Sequence, residues 1–188
     1  MNKNQQKISQ KVLLSVMGLV VVFGITSKAF ASPITPQNLE YLVNKERMYN
    51  GLKPLVVDSQ LDSAATSKSK DMVTRNYFEH YAFGLTPWDF ILSSGYNYLY
   101  AGENLAMNFD TSEGTVQAWM NSPAHRANIL NPDYEDMGIG VVKGAYTVNG
   151  SEEQTVMVTN MFGRKKPAIL EVLTSLIDQI SEVLHFGK

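Results

Sequence analysis

The sequence predicts an α+β fold, and two observations carry that reading. Capped segments with apolar residues at helical spacing fill much of the chain from Thr35 to Asn131, and from Met137 the period changes to that of extended strands. Helices first and strands last are the mark of α+β, as against the regular alternation of a parallel α/β sheet. The 188 residues, 44% hydrophobic with a formal net charge of -2, suit one globular domain and match neither a disordered nor a fibrous composition. A near-neutral chain without a Lys/Arg cluster has no electrostatic footprint for nucleic acid.

Residues 1–31 read as a signal peptide ahead of the domain. Lys3, Lys7 and Lys11 form a basic leader, Val12 to Ile25 an apolar run, and Ala29-Phe30-Ala31 a small-x-small cleavage signal. Cleavage near Ala31 leaves Ser32 first and sends the protein out of the cell or into the envelope. The alternative is an uncleaved anchor, although the run is shorter than the ~20 apolar residues that span a bilayer. The absence of cysteine rules out a lipidated anchor and disulfides, so the domain must be stabilised by its own core.

The first helix begins at Thr35-Pro36, an N-cap followed by proline at the first helical position. It carries Leu39, Leu42 and Val43 at helical spacing and stops at Asn50-Gly51. Leu55-Val56-Val57 is a short extended piece. Asp58 then caps a second helix with Leu61, Ala65, Ser69 and Met72 on one face; Lys68 shares that stripe, so the helix is either partly buried or lets the lysine snorkel to water. Tyr77 to Phe83 is an aromatic-rich loop of the kind that lines a cleft. A third helix runs from Thr86-Pro87 to Gly95 with Trp88, Ile91 and Leu92 as its core face. The stretch Asp110-Thr111-Ser112-Glu113 offers caps for a helix through Trp119, with Val116 and Trp119 or Met120 inward, and Ser122-Pro123 starts a short helix ended by Asn131-Pro132. Gly138 to Val142 and Thr155 to Phe162 read as antiparallel strands with a turn at Asn149-Gly150 between them.

Two motifs organise the chemistry: Ala101-Gly102-Glu103-Asn104-Leu105-Ala106, and the block from Trp119 to Leu130 that holds Ser122-Pro123-Ala124-His125-Arg126. Upstream, Asn76-Tyr77-Phe78-Glu79-His80 adds a second imidazole. Local spacing does not bring these groups together. In their order, and with the helix Leu39 to Arg47 before them, the motifs resemble the CAP superfamily, also called the SCP or cysteine-rich secretory protein family, and are most similar to its compact bacterial branch. The resemblance runs from about Thr35 to Phe162.

That resemblance implies a three-layer α-β-α sandwich with a central antiparallel sheet, occupying residues 32–166, and a surface cleft lined by His80, Glu103 and His125. Family members line the cleft with two histidines and two acidic residues. In many eukaryotic members the second acid follows the tryptophan by three residues, and here that position is Ser122. Glu79, Glu113 and Glu135 are other acids able to approach the cleft. Neutral imidazoles at His80 and His125 suit zinc or copper, with Glu103 as a ligand or an orienting carboxylate. Two histidines alone make a weak, exchangeable zinc site compared with the three protein ligands of catalytic zinc. Asn104 and Asn128 read as loop-holding residues and Trp119 as core.

No Gly-x-Ser-x-Gly elbow, cysteine nucleophile, phosphate-cradling glycine loop or dinucleotide fingerprint is present. The leading expectation is an extracellular binding or interaction module whose ligand or protein partner is not legible. A metal-dependent hydrolase acting on peptide or envelope polymer is the second, and a lipid or sterol binder the third. Residues 167–188 form a separate C-terminal amphipathic helix. Ile169, Leu173, Leu176, Ile180 and Val183 alternate at spacings of four and three, Leu170, Ile177 and Leu184 widen the stripe, and Pro167 and Gly187 mark its ends. Such a face must be covered, by the same domain, by self-association or by docking to a partner, whereas Glu171, Asp178 and Glu182 oppose binding to anionic lipid.

Overall fold

The computed structural model describes residues 31–185, excepting the side chains at positions 170, 171, 174, 175, 178 and 182–185. The leader before Ala31, the helix stop at Gly187, and the side chains of Leu170, Val183 and Leu184 therefore lie outside the described residues.

Helix α1, Pro36–Tyr49, starts as read, with the Thr35 hydroxyl accepting from the Asn38 amide. Leu39 and Val43 are buried, and the positive φ of Gly51 closes the turn after it. Strand β1 is only Val56–Val57. Helix α2, Ser59–Arg75, is capped by the Asp58 carboxylate, which accepts from the Gln60 and Leu61 amides. Its predicted stripe of Leu61, Ala65, Ser69 and Met72 is fully buried. Lys68 departs from the reading, since its side chain is buried with the stripe instead of reaching water. Helix α3, Pro87–Ser93, has the reciprocal Thr86 and Asp89 cap, but Leu92 is exposed and only Pro87 and Ile91 are buried. A seven-residue helix presents one narrow stripe to the core: Ile91 is buried in it, and Trp88, also predicted inward, packs against it half-buried together with Phe90.

Strand β2, Tyr98–Met107, was not legible as a strand. Gly102 through Ala106 are all buried, so the segment lacks the in-out alternation by which a strand is read. Helices α4, Ser112–Asn121, and α5, Pro123–Ile129, follow; Thr111 caps α4, whereas Ser122 gives α5 no side-chain cap. Strands β3, Asp136–Val148, and β4, Ser151–Lys165, are longer than predicted and form one hairpin, with Val148 opposite Ser151 across the Asn149-Gly150 turn. Both turn residues have positive φ, as the two-residue hairpin requires.

The sheet order is β1-β3-β4-β2, antiparallel except for the two-residue parallel pairing of β1 with β3. One face packs on α2 and α3 through Met161, Leu105 and Met157, and the other on α1, α4 and α5 through Met137, Ile139, Val158 and Phe162. The result is the three-layer α-β-α sandwich. At Gly138 and Gly140 the backbones of β3 and α2 meet directly: a Cβ on either glycine would lie 2.2–2.3 Å from backbone atoms of α2. Strand β2 is a sheet edge, and this position makes the site.

The last helix, α6, spans Ala168–His185. Its described apolar side chains Ile169, Val172, Leu173, Leu176, Ile177 and Ile180 are 48–66% exposed, so the domain does not cover them. No helix among the described residues is long and apolar enough to cross a membrane.

Candidate functional site

An edge strand leaves a row of backbone carbonyls without sheet partners, and three side chains take them up along β2. The Tyr134 hydroxyl donates to Ala101, Asn128 Nδ2 to Glu103, and Trp119 Nε1 to Leu105. The second motif, with Tyr134 just beyond it, thus acts as a clamp on the first. Asn128 also donates to Asn104 Oδ1, and Asn104 Nδ2 returns a bond to the carbonyl of His125. Both asparagines hold backbone, as the sequence reading expected, and together they fix α5 and its His125 against the strand that carries Glu103. Gly102 admits the clamp, because a Cβ there would fall 2.3 Å from the Tyr134 hydroxyl.

Glu103 points to the α2 side of the sheet, where it meets the loop after that helix. His80 Nδ1 lies 2.6 Å from Glu103 Oε1, with the imidazole 43% exposed and the carboxylate side chain 2%. A buried carboxylate therefore orients a half-exposed ring and leaves its Nε2 directed away from the pair. Burial pushes the Glu103 carboxyl above the ordinary carboxylate range, against the hydrogen bond to His80 and the charge of Lys68. Its second oxygen, Oε2, is buried and has no hydrogen-bond partner among the described residues.

Lys68 holds the loop that carries His80. Its ammonium donates to the carbonyls of Glu79 (2.9 Å) and His80 (3.0 Å) and to the Tyr77 hydroxyl, and it lies over the rings of Tyr77 and Phe90. Burial lowers its pKa, while the charges of Glu103, Asp71 and Glu79 oppose that shift. The sequence signalled this residue only by placing a lysine on an apolar stripe; its role depends on contacts made across a loop.

His125 approaches from the opposite layer. Burial and then the nearby His80 lower its pKa, which favours the neutral ring. The structure thus brings His80 and Glu103 into direct contact and ties His125 to the same strand. Among the described residues no second acid is bonded to them. Ser122 stands at the family position, Glu113 is bonded to Ser32, Glu135 pairs with Arg164, and Glu79 is exposed. Nor, among those residues, are three His, Cys, Asp or Glu side chains placed to enclose a metal ion. The direct contact is one carboxylate–imidazole pair, with His125 tied to the same strand through its backbone carbonyl.

The family model described as "CAP: Cysteine-rich secretory protein family" matches residues 40–161. The chain belongs to the CAP family. This CAP domain is 47% identical over 104 residues to the "Uncharacterized protein YkwD" of Bacillus subtilis, a match that takes in 54% of this chain and 40% of that protein. A crystal structure of an extracellular protein containing an SCP domain from Bacillus anthracis superposes with a TM-score of 0.59 at 30% identity, over 69% of this chain and 40% of that one. An outer surface protein of Borrelia burgdorferi shares the fold with a TM-score of 0.58 at 22% identity, over 69% of this chain and 92% of that one. The CAP chain spans about two fifths of the length of the Bacillus subtilis relative it matches.

Proposed function

We propose that this CAP protein is an extracellular binding module whose cleft holds a divalent metal weakly through His80 and His125. One observation carries the reading: the 2.6 Å contact by which buried Glu103 takes up Nδ1 of His80 and so presents Nε2 as the ligating nitrogen. A carboxylate behind a metal-binding histidine fixes the ring and its tautomer and raises its basicity. The second support is His125, whose lowered pKa keeps an unprotonated imidazole available. The extracellular placement follows the leader reading and the relatives described as extracellular or outer-surface proteins.

Calorimetry with Zn²⁺ on the untagged protein from Ser32 onward tests the proposal. His80→Ala and His125→Ala should each abolish binding, and Glu103→Gln should weaken it by about 10–100-fold, the usual effect of losing an orienting partner. Undiminished binding in either histidine variant removes that residue from the site. Acid should weaken binding through competition for imidazole. Because the His125 pKa is depressed, that ring should remain a ligand somewhat below the pH of about 6.5 at which an ordinary imidazole half-protonates.

The unpartnered Oε2 of Glu103, on a carboxyl whose pKa is raised, favours one second reading, a hydrolase in which this oxygen takes a proton from a metal-held water. Cleavage of peptide or envelope polymer that disappears in Glu103→Gln at saturating Zn²⁺ would select it over binding alone.

The exposed face of α6 formed by Ile169, Leu173, Leu176 and Ile180 is assigned to self-association. Residues 32–188 should sediment as an oligomer and residues 32–167 as a folded monomer. A monomeric longer chain, with a lower melting temperature on truncation, would instead return the helix to the domain.

A further inference from the structure

Chain termini fray unless something ties them down, and Ser32 is tied at every polar atom. Its amide donates to Glu113 Oε2 (3.0 Å) and its hydroxyl to Glu113 Oε1 (2.6 Å), so one residue grips both oxygens of one carboxylate. Its carbonyl accepts the Ser112 amide at 3.1 Å. The next residue is held as well, since the Pro33 carbonyl accepts from the Ser112 hydroxyl and from Asn38 Nδ2. Glu113 stands in the first turn of α4, where a carboxylate suits the helix dipole, and interposes its charge between that dipole and the Ser32 nitrogen. Ala31, the residue before, is exposed.

This much binding at the boundary between leader and domain has a purpose if Ser32 becomes the first residue. We infer that Glu113 forms a docking site for the α-ammonium of the mature chain, with Ser112 holding the carbonyls of Ser32 and Pro33 behind it, and that the site is created when a signal endopeptidase cuts between Ala31 and Ser32. The step is a hydrolysis. Water adds across the Ala31–Ser32 peptide bond, its hydroxyl passing to the Ala31 carboxyl and its hydrogen to the Ser32 nitrogen, which takes a further proton from solvent near neutral pH. The contact now seen at 3.0 Å between a neutral amide and a carboxylate then becomes an ion pair. The inference rests on the leader reading but not on the metal cleft. It couples maturation to the site's frame, because α4 also carries Trp119, whose indole holds the edge strand at Leu105.

The hydrogen bonds from Ser32, and more weakly the charge of Lys45, lower the pKa of Glu113, which stays ionised throughout the neutral range, so the group that titrates is the amine. An α-amine paired with a carboxylate has a folded-state pKa above its ordinary ~7.7–8.0. The stability it adds is therefore complete below that ordinary value and is lost as pH rises through the raised one. Lys45 of α1 is the other charged group acting on Glu113.

The first test is the amino-terminal residue of the protein released by an exporting bacterium carrying the full gene, expected to be Ser32. A different first residue overturns the inference at the leader. The second compares chains beginning at Ser32 and at Ala31, using the compact unit that starts at Ala31. The Ser32 chain should melt higher at pH 6–7, and the difference should close above about pH 9, past the ordinary α-amino range. Titration of the isotopically methylated α-amine by NMR should give a pKa above the ordinary range, returning to it in Glu113→Gln. An unshifted α-amine, or a melting difference that survives Glu113→Gln, overturns the docking site.

Discussion

Replacing Trp119 by alanine is expected to destabilise the protein by ~3–5 kcal/mol, the range for deleting a large buried aromatic side chain. The indole is 1% exposed and packs in the cluster of Leu39, Val116, Ile129, Ala106 and Val158, so its removal opens a cavity between α4, α5 and the sheet. It also removes the donor at 2.9 Å from the Leu105 carbonyl, an acceptor on the unpaired side of the edge strand. The two losses can be separated. Trp119→Phe keeps much of the volume and loses the N–H, and should cost about 1–3 kcal/mol, the penalty of an unsatisfied buried polar group. Urea denaturation measures both, and a loss under about 1 kcal/mol in Trp119→Ala would show that the indole does not fill the core.

The second large effect is expected at Gly140. A methyl group there would sit 2.3 Å from the Ala65 carbonyl carbon and the Thr66 nitrogen, both backbone atoms of α2. No rotamer change relieves that overlap, so the helix must move off the sheet. Gly140→Ala should cost ~3 kcal/mol or more, at or beyond the upper end of the usual overpacking range. Gly144→Ala, in the same strand, is the internal comparison, because the nearest obstacle to its Cβ is the tip of the Val73 side chain, which can shift. Equal and small costs in thermal melts of both variants would mean that α2 does not lie directly on β3. A shift of α2 also carries Lys68 with it, so Gly140→Ala should weaken the cleft by loosening the loop that holds His80.

The helices were legible because their signals are local. Thr35, Asp58, Thr86 and Thr111 each accept the capping bond that their types and positions advertise, and proline stands at the first turn where its missing N–H costs nothing. The hairpin turn at Asn149-Gly150 was equally local, since only residues tolerant of positive φ fit it. Strand β2 was not, because burial on both faces erases the alternation that marks a strand. Lys68 was half legible: its place on an apolar stripe posed the question, and a wrong answer followed because a sequence does not display the carbonyls of Glu79 and His80 that replace water around the ammonium.

By itself the sequence determined the α+β class, the helix starts and, through two motifs, membership of the CAP family, and it nominated His80, Glu103 and His125. Tertiary structure alone decided that Glu103 meets His80 at Nδ1, that Asn104 and Asn128 are the braces between strand and helix, and that Ser32 closes on Glu113. The division has one physical cause. Caps, turns and periodicity are set by bonds a few residues long, whereas these contacts span 21 to 81 positions and exist only once β2 has taken the edge of the sheet and α4 and α5 have closed over it.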